Sequence, residues 1–388
     1  MSRTVYLDHH ATTPLDERVL AAMRPWLTTE CGNASSAHRL GSSAAAAVES
    51  ARIAVAALLG AHDPDEIVFT SGATESNQLA IVGVALKARQ LRGARHVLTT
   101  AVEHKSVFSA MEYLVEHHGF TSSIVPVDRA GRVDPATIAA AVTTETAVLS
   151  TMVANNEIGT IQPVRHIADS VRDSGVALHA DATQAMGGIA VSVDDLGVDL
   201  LSLSGHKIYG PTGVGALYAR RGVPMAALLP GGGQQRGLRG GTFNVAGIVG
   251  MGEACRILTA TREEESIRTA GLRDRLQSAL IEMLPDAEVN GDQENRLPNN
   301  LSLSVPGLVA ASLMASLPDV IFATTSACSS GGESHVLQAI GQRAEPGTLR
   351  LSVGRHTTVD DVDYAARELV SAIRAATGSV MRDVHAGR

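Results

Sequence analysis

Residues 176–207 read VALHADATQAMGGIAVSVDDLGVDLLSLSGHK, a stretch with two apolar strands that each end at a polar side chain. The first predicted strand, Val176–Ala180, is followed directly by Asp181. The second, Leu200–Ser204, is followed within three residues by Lys207. Strands that alternate with helices form a mostly parallel sheet covered on both faces, and the carboxyl ends of its strands bind ligands. We therefore predict an α/β fold that carries Asp181 and Lys207 on one edge of its sheet.

The same alternation of strands and helices extends through the first two thirds of the chain. Further strands are predicted at Ile67–Thr70, His96–Ala101, Ile124–Val127, Ala147–Val153 and Val214–Ala219, and helices at Glu75–Leu91, Lys105–His118 and Pro163–Ser174. The pattern changes after residue 260, where a charged helix precedes shorter elements. These are predicted at Arg262–Leu284, Leu301–Val305, Val309–Leu317, Ile321–Thr325 and Leu349–Val353. We predict an N-terminal arm over residues 1–14, a large domain over 15–260 and a smaller α+β domain over 261–388.

Composition and charge exclude several classes of protein. The 388 residues are 45% hydrophobic, too many for an intrinsically disordered chain. The net charge of -8 argues against direct contact with nucleic acid, and no apolar run is long enough to span a membrane. Cys31, Cys255 and Cys328 are too few and too far apart for a disulfide framework, which favours a reducing cytoplasm. The cysteine and histidine spacing predicts no metal site.

Four segments at the ends of predicted strands carry polar side chains suited to chemistry. One segment begins a predicted helix with small and hydroxyl residues: Thr70-Ser-Gly-Ala-Thr-Glu-Ser-Asn77. The backbone at such a helix start can bind phosphate, although a plain helix cap has the same pattern. His104, taken alone, is interpreted as a structural histidine. Asp181 has an equally simple interpretation as a buried, hydrogen-bonded carboxylate. Lys207 lies between small residues in a chain with few lysines, and a desolvated lysine is a nucleophile for carbonyls.

Together these segments predict a site for pyridoxal phosphate. Lys207 would bind the aldehyde of the cofactor, and the helix start at Thr74 would bind its phosphate. Asp181 would keep the ring nitrogen protonated, which the cofactor needs in order to accept electrons.

Longer motifs extend this interpretation to a family. They are Tyr6-Leu-Asp-His-His-Ala-Thr-Thr-Pro14, Phe69-Thr-Ser-Gly-Ala-Thr-Glu-Ser76, Asn155-Asn-Glu-Ile-Gly159, Ser204-Gly-His-Lys-Ile-Tyr-Gly-Pro211 and Ser326-Ala-Cys-Ser-Ser330. Over about nine tenths of its length the chain resembles the cysteine desulfurases of the bacterial Fe–S assembly and nitrogen-fixation type. These are fold-type I pyridoxal-phosphate enzymes, so the resemblance implies a mostly parallel, seven-stranded sheet in the large domain.

The resemblance also implies roles for the residues around the cofactor. Lys207 would bind it covalently, Asp181 would pair with its ring nitrogen, His104 would stack on the ring and move protons, and Gln184 would bond the ring hydroxyl. The phosphate would be held by Ala73, Thr74, Ser204 and His206, and in a homodimer also by Thr242 of the neighbouring subunit.

The substrate implied by the resemblance is L-cysteine. Asn156, which would also contact the cofactor, and Arg355 would bind its carboxylate, because the fork of an arginine makes two bonds to a carboxylate. Cys328 would attack the substrate sulfur, and the products would be L-alanine and a persulfide on Cys328. That sulfur would pass to an acceptor protein for Fe–S cluster assembly or for thio-modification of tRNA or DNA.

The segment after Cys328 departs from the family pattern. It reads Ser-Ser-Gly-Gly-Glu-Ser-His-Val-Leu337, about two residues shorter than in the family and without its proline. A shorter segment reaches less far, so we expect Cys328 to start far from the cofactor. Cys255 lies in a helical apolar pattern and is predicted to be a core residue.

Two other functions stay open from the sequence. A related pyridoxal-phosphate lyase or aminotransferase would keep Lys207, Asp181 and His104 but would not need Cys328. A non-catalytic scaffold would keep the fold and bind partners without any need for Lys207.

Overall fold

The computed structural model describes residues 3–324, 334–342 and 347–386. Its strands are β1 Val5–Tyr6, β2 Ile67–Thr70, β3 His96–Thr100, β4 Thr121–Val125, β5 Thr146–Met152, β6 Ala177–Asp181, β7 Leu200–Ser204, β8 Gly215–Ala219, β9 Glu288–Val289, β10 Asn300–Ser304, β11 Val320–Ile321 and β12 Thr348–Ser352. Its α helices are α1 Glu17–Thr28, α2 Arg39–Leu59, α3 Ala73–Arg92, α4 Lys105–His118, α5 Pro135–Ala141, α6 Val164–Val171, α7 Val193–Leu196, α8 Val245–Met283, α9 Ala310–Ser316, α10 His335–Ala339 and α11 Val359–Ala386.

The central sheet has the strand order β2-β8-β7-β6-β5-β3-β4. All neighbouring pairs are parallel except those of β8, which runs antiparallel to both β2 and β7. The connection from β7 to β8 is too short for a crossover helix, so β8 must turn back beside β7. Every residue of β3, β5 and β7 is buried, as expected for strands covered on both faces. The predicted α/β fold with a mostly parallel, seven-stranded sheet is confirmed.

One glycine brings the start of α3 to the edge of this sheet. β8 begins at Gly215, where a Cβ atom would lie only 2.7 Å from the Cα atom of Gly72. A side chain at this position would push the residue before α3 away from the sheet. The close approach therefore places the first turn of α3 beside the carboxyl end of β7.

The long helix α8 differs from its prediction. The sequence predicted a helix that begins at Arg262, whereas α8 begins at Val245 and runs for 39 residues. Its early glycines do not break it, because Gly252 allows close packing on α2: a Cβ atom there would lie 2.6 Å from the Cα atom of Ala51.

Two hydrophobic clusters flank the predicted boundary at residue 260. Cys255 and Leu258, in the first half of α8, belong to the cluster that includes the central sheet, whereas Leu272 and Leu280 belong to a second cluster with β10, β12 and α11. The core position predicted for Cys255 is therefore confirmed. The division into domains stays a prediction, and its boundary falls inside a continuous helix.

The first and the last helix begin with different caps. At α11, the Asp361 N–H donates to the Thr358 hydroxyl at 3.1 Å, and the Thr358 N–H donates to the Asp361 carboxylate at 3.0 Å, which forms a capping box. The segment Thr13-Pro-Leu-Asp16 has a similar sequence but forms no such box at α1. Asp16 caps α1 instead, and the Thr13 hydroxyl bonds the loop that carries Lys207.

One helix of the described chain, α2, is long enough and apolar enough to cross a membrane, judged by its length and composition alone. Half of its most apolar window is buried inside the fold, with Val48, Val55 and Leu59 in the hydrophobic core around α8.

Candidate active site

A cavity of about 400 Å³ opens at the carboxyl edge of the central sheet. Its walls come from the segments that follow β2, β3, β5, β6 and β7. The predicted site residues that line it are Ala73, Thr74, His104, Asn156, Asp181, Gln184, Ser204, His206 and Lys207. The fold therefore brings these distant segments of the sequence to one place, while the role of each residue stays a prediction.

Asp181 is fixed at the end of β6 by two hydrogen bonds. Its carboxylate accepts from the side-chain amide of Asn77 at 2.8 Å and from the N–H of Thr183 at 2.9 Å. The residue is 6% exposed, and a buried carboxylate is costly unless a positive group or further donors meet it. The geometry therefore leaves Asp181 suited to bind a cationic group in the cavity.

His104 is connected to Asp181 through a chain of hydrogen bonds. The Ser106 N–H donates to the Nδ1 atom of His104 at 3.1 Å, and the Ser106 hydroxyl lies 2.8 Å from the same atom. That hydroxyl also accepts from Asn77 at 2.9 Å. Burial lowers the pKa of His104, so its ring is neutral at pH 7. Because Nδ1 accepts a hydrogen bond, the neutral ring carries its proton on Nε2.

Lys207 is held by the N-terminal arm. Its Nζ atom donates to the backbone carbonyls of His10 and Ala11, the latter at 2.9 Å. The Thr13 hydroxyl donates to the carbonyl of His206 at 2.9 Å and accepts from the N–H of Tyr209 at 2.8 Å. The arm therefore fixes the backbone on both sides of Lys207 and leaves its amine at the wall of the cavity.

The start of α3 provides an anion-binding end for the cavity. Gly72 is the N-cap of this helix and offers no side-chain hydrogen bond to the first turn, whose residues Ala73 and Thr74 line the cavity. Uncapped N–H groups and the helix dipole favour a phosphate at this position. His206 also lines the cavity, and burial together with the charge of Lys207 lowers its pKa to about 4.

These features fit pyridoxal phosphate. An amine, a fixed carboxylate and an uncapped helix start surround one cavity, and they match the aldehyde, the ring nitrogen and the phosphate of that molecule. The Thr183 Oγ1 and Asn77 Oδ1 atoms are buried without a hydrogen-bond partner among the described residues. Such atoms are uncommon in folded proteins and are consistent with a polar ligand beside Asp181.

Glu103 is a second carboxyl group in this cavity. It is 1% exposed, and its Oε1 atom accepts from the Thr100 hydroxyl at 2.6 Å and from the Met152 N–H at 2.9 Å. Burial raises the pKa of Glu103 to about 8, and the nearby charge of Asp181 contributes. Glu103 is therefore a neutral acid at pH 7, and Asp181 does not face a second negative charge from it.

Arg355 does not face the large cavity, in contrast to the prediction that it binds the substrate carboxylate. Its guanidinium already pairs with Asp16 and Glu265, each at 2.7 Å, and lies 4.1 Å from the ring centre of Tyr209. The separate cavity beside it has about 20 Å³, enough for about one water molecule and too little for an amino acid. The described contacts of Arg355 are therefore structural, although its Nη2 atom has no partner among the described residues, and its role in substrate binding stays a prediction.

A second arginine, Arg350 on β12, also lies near the site. It lines the large cavity, and its side chain is 3% exposed. Nη2 donates to Asp8 at 2.8 Å, Nη1 donates to the carbonyl of Asn156 at 3.3 Å, and Nε has no partner among the described residues. The guanidinium therefore has hydrogen-bonding capacity left for a second carboxylate.

The remaining predicted site residues are Thr242 and Cys328. Thr242 is exposed and does not line the large cavity, so its predicted role toward a neighbouring subunit stays a prediction. Cys328 lies outside the described residues. The described chain resumes at Ser334, which donates to Glu157 at 2.5 Å, and His335, whose Nε2 atom donates to the carbonyl of Glu103 at 2.9 Å.

Sequence reasoning missed Asn77, Ser106 and Arg350. The sequence contained a signal for Asn77, because it is a polar residue on an otherwise apolar helix face. In the structure it is fully buried. Ser106 lies two residues after His104, which was predicted as a site residue. A serine at this spacing can hydrogen-bond the side chain that caps the helix start, so the sequence also contained a signal for Ser106. Arg350 could not be separated from Arg355, since the sequence does not indicate which of the two faces the cavity.

We predict a pH-dependent stability effect from Glu103. The pKa rises from 4.5 to about 8 on folding, so between these values the unfolded chain releases a proton that the folded chain keeps. The free energy of unfolding therefore falls as pH rises, by at most ~1.4 kcal/mol per pH unit. Glu103→Gln removes this pH dependence. In urea unfolding of the cofactor-free protein, the free energy of unfolding of the variant, relative to that of the wild type, should therefore increase from pH 6 to pH 8.

The control is Glu112→Gln, which changes an exposed glutamate on α4. Its unfolding free energy should follow that of the wild type at every pH. Parallel curves for Glu103→Gln and wild type would contradict a protonated Glu103.

Known proteins are similar to this chain over nearly its whole length. The family model "Aminotransferase class-V" matches residues 5–365. The cysteine desulfurase IscS of Anaeromyxobacter dehalogenans (strain 2CP-C) is 45% identical over 374 residues, which cover 95% of this chain and 92% of that protein. A solved NifS-like protein has a TM-score of 0.88 at 38% identity and covers 95% of this chain and 98% of its own.

A second solved structure bears on the substrate. It is described as SspA in complex with cysteine, and it has a TM-score of 0.81 at 34% identity, covering 92% of this chain and all of its own. The family match, the identities and the structural likeness agree with one another. The chain therefore belongs to the class-V aminotransferase family, among its cysteine desulfurases.

Proposed function

We propose that this protein is a pyridoxal-phosphate-dependent cysteine desulfurase that transfers the sulfur of L-cysteine to Cys328 and releases L-alanine. The observation that carries the proposal is the placement of the Lys207 amine, the Asp181 carboxylate and the uncapped start of α3 around one cavity. The likeness to a structure described in complex with cysteine supports the substrate.

The cofactor would be held at three places. Lys207 would hold its aldehyde, Asp181 its ring nitrogen, and the start of α3 with Ser204 and His206 its phosphate. Gln184, which donates to the carbonyl of His10 at 2.9 Å, lines the same cavity and is proposed to bond the ring hydroxyl. When bound, pyridoxal phosphate supplies an electron sink for a carbanion at the substrate Cα atom.

Proton transfer divides between Lys207 and His104. A neutral His104 that accepts at Nδ1 carries its proton on Nε2, so it can donate there but cannot act as a base at that atom. The amine of Lys207, which lines the same cavity, would remove the α-proton of the substrate. His104 is therefore proposed to donate protons and to pack against the ring, with Lys207 as the base.

Arg350 and Asn156 are proposed to bind the substrate carboxylate. Both line the cavity, and the backbone carbonyl of Asn156 orients the Arg350 guanidinium. A buried guanidinium with an unpaired Nε meets a carboxylate through two parallel hydrogen bonds. This contact would orient the cysteine so that its side chain is accessible to the nucleophile.

The Cys328 thiolate would attack the substrate sulfur. A sulfur–sulfur bond forms, the bond between sulfur and the substrate Cβ atom breaks, and that carbon takes a proton, which leaves alanine and the Cys328 persulfide. Ala323, five residues before Cys328 in the sequence, pairs its backbone with that of Arg350 at 2.7 and 3.1 Å. Five residues span at most ~18 Å, so covalent geometry allows Cys328 to approach the cavity.

The acceptor, the assembly and the compartment are also proposals. The persulfide would pass to an acceptor protein for Fe–S assembly or for thio-modification of tRNA or DNA. A homodimer would let the exposed Thr242 serve the partner subunit's cofactor. A cytoplasmic location agrees with Cys31 and Cys255, which are free thiols.

The sulfur-transfer step predicts that Cys328→Ser abolishes turnover. With L-cysteine and a thiol reductant, wild-type holoenzyme should release alanine and sulfide in equal amounts, and the variant should release neither above background. Cys31→Ser, which changes an exposed free thiol, is the matched control and should keep wild-type rates. Alanine release by Cys328→Ser at the wild-type rate would contradict Cys328 as the sulfur acceptor, and release of a 2-oxo acid in place of alanine would favour a lyase or aminotransferase.

The placement of the two arginines predicts different effects of Arg-to-Lys changes. Arg350→Lys keeps the charge but loses the two-bond fork, so the KM for L-cysteine should rise by about 10- to 100-fold, equivalent to ~1.5–3 kcal/mol. Arg355→Lys should lower the melting temperature with little change in KM. Steady-state alanine release and thermal unfolding measure both, and the reverse pattern would restore Arg355 as the substrate-binding residue.

A further inference from the structure

The N-terminal arm carries an acidic residue into the proposed substrate site. Asp8 forms an isolated bridge with Ser352, where the Ser352 N–H donates to the carbonyl of Leu7 at 2.7 Å. The N–H of His10 donates to the Ser352 hydroxyl at 3.0 Å. These bonds fix the backbone on both sides of Asp8 against the end of β12.

Arg350 lies two residues before Ser352 on β12, so the two side chains share one face of the strand. Asp8 is thus held beside the strand face from which the arginine extends. Its Oδ1 atom accepts from Nη2 of Arg350 at 2.8 Å, and its side chain is 17% exposed. This is a short, directed contact to a guanidinium that is itself nearly fully buried.

The contact uses only part of the arginine fork. Nη2 is occupied by Asp8, Nη1 makes a longer bond of 3.3 Å to the carbonyl of Asn156, and Nε has no partner among the described residues. An unrestricted arginine side chain has many rotamers, and one fixed bond at its tip favours a few of them. Asp8 therefore orients the guanidinium and leaves its remaining donors for another carboxylate.

We propose that Asp8 is a positioning residue, which holds the Arg350 guanidinium in the orientation that receives the substrate carboxylate. This inference rests on the proposed function, because it assigns Arg350 to substrate binding. Asp8 acts through Arg350, because its carboxylate oxygen accepts a hydrogen bond from the guanidinium. An asparagine can supply that oxygen, whereas an alanine cannot.

The test compares Asp8→Ala with Asp8→Asn in the holoenzyme. Asp8→Ala should raise the KM for L-cysteine by about tenfold or more, with kcat within about threefold of wild type, because only carboxylate binding is lost. Asp8→Asn should return the KM to within about threefold of wild type, since its amide oxygen accepts the same bond. Cysteamine lacks a carboxylate, so its affinity for the holoenzyme, measured from the change in cofactor absorbance, should be the same in all three proteins.

Asp16→Ala is the matched control, because Asp16 also lies near the arm and binds an arginine, Arg355, at 2.7 Å. It should lower the melting temperature and leave the KM within about threefold of wild type. The positioning role would be overturned by an unchanged KM in Asp8→Ala or by an equal loss of cysteine and cysteamine binding in that variant. It would also be overturned if Asp8→Asn failed to restore the KM, or if Asp16→Ala raised the KM as much as Asp8→Ala. Wild-type holoenzyme that releases no alanine from cysteine would overturn the proposed function and this inference together.

Discussion

The buried carboxylate of Asp181 is the charge on which the arrangement of the cavity depends. It ends a strand in the middle of the sheet, where water cannot solvate it fully, so its stability relies on fixed donors. One of these donors, Asn77, belongs to α3, and the same amide bonds Ser106 at the start of α4. A single side chain thereby aligns the helix start that suits a phosphate, the strand end that carries Asp181 and the helix that is capped by His104.

Burial sets the protonation of the groups around this carboxylate. It lowers the pKa values of His10, His104, His179 and His206, and it raises that of Glu103. The imidazoles and Glu103 are therefore neutral at pH 7. Because these groups carry no charge, the charges of Asp181, Lys207 and Arg350, which line the cavity, have a strong influence on what binds in this low-dielectric surrounding.

The sequence was sufficient for the sheet and for the residues that follow its strands. β2 and β7 have the predicted bounds, because short apolar runs with polar ends are typical of strands covered on both faces. Asp181 and Lys207 could be predicted because the first follows such a run directly and the second follows one within three residues. The start of α8 could not be predicted, because its early glycines have low helix propensity and their close packing on α2 is visible only in the structure. The choice between Arg350 and Arg355 also required the structure, which shows the ion pairs that occupy Arg355.

Attachment of the cofactor to Lys207 is the claim most open to direct measurement. Borohydride reduction of the protein loaded with pyridoxal phosphate, followed by tryptic digestion and mass spectrometry, identifies the modified lysine. Lys105 is a demanding internal control, because it lines the same cavity. We expect a reduced cofactor on Lys207, with loss of tryptic cleavage after that residue and an unmodified Lys105. A cofactor found on Lys105, or an unmodified Lys207 in fully loaded protein, would contradict it.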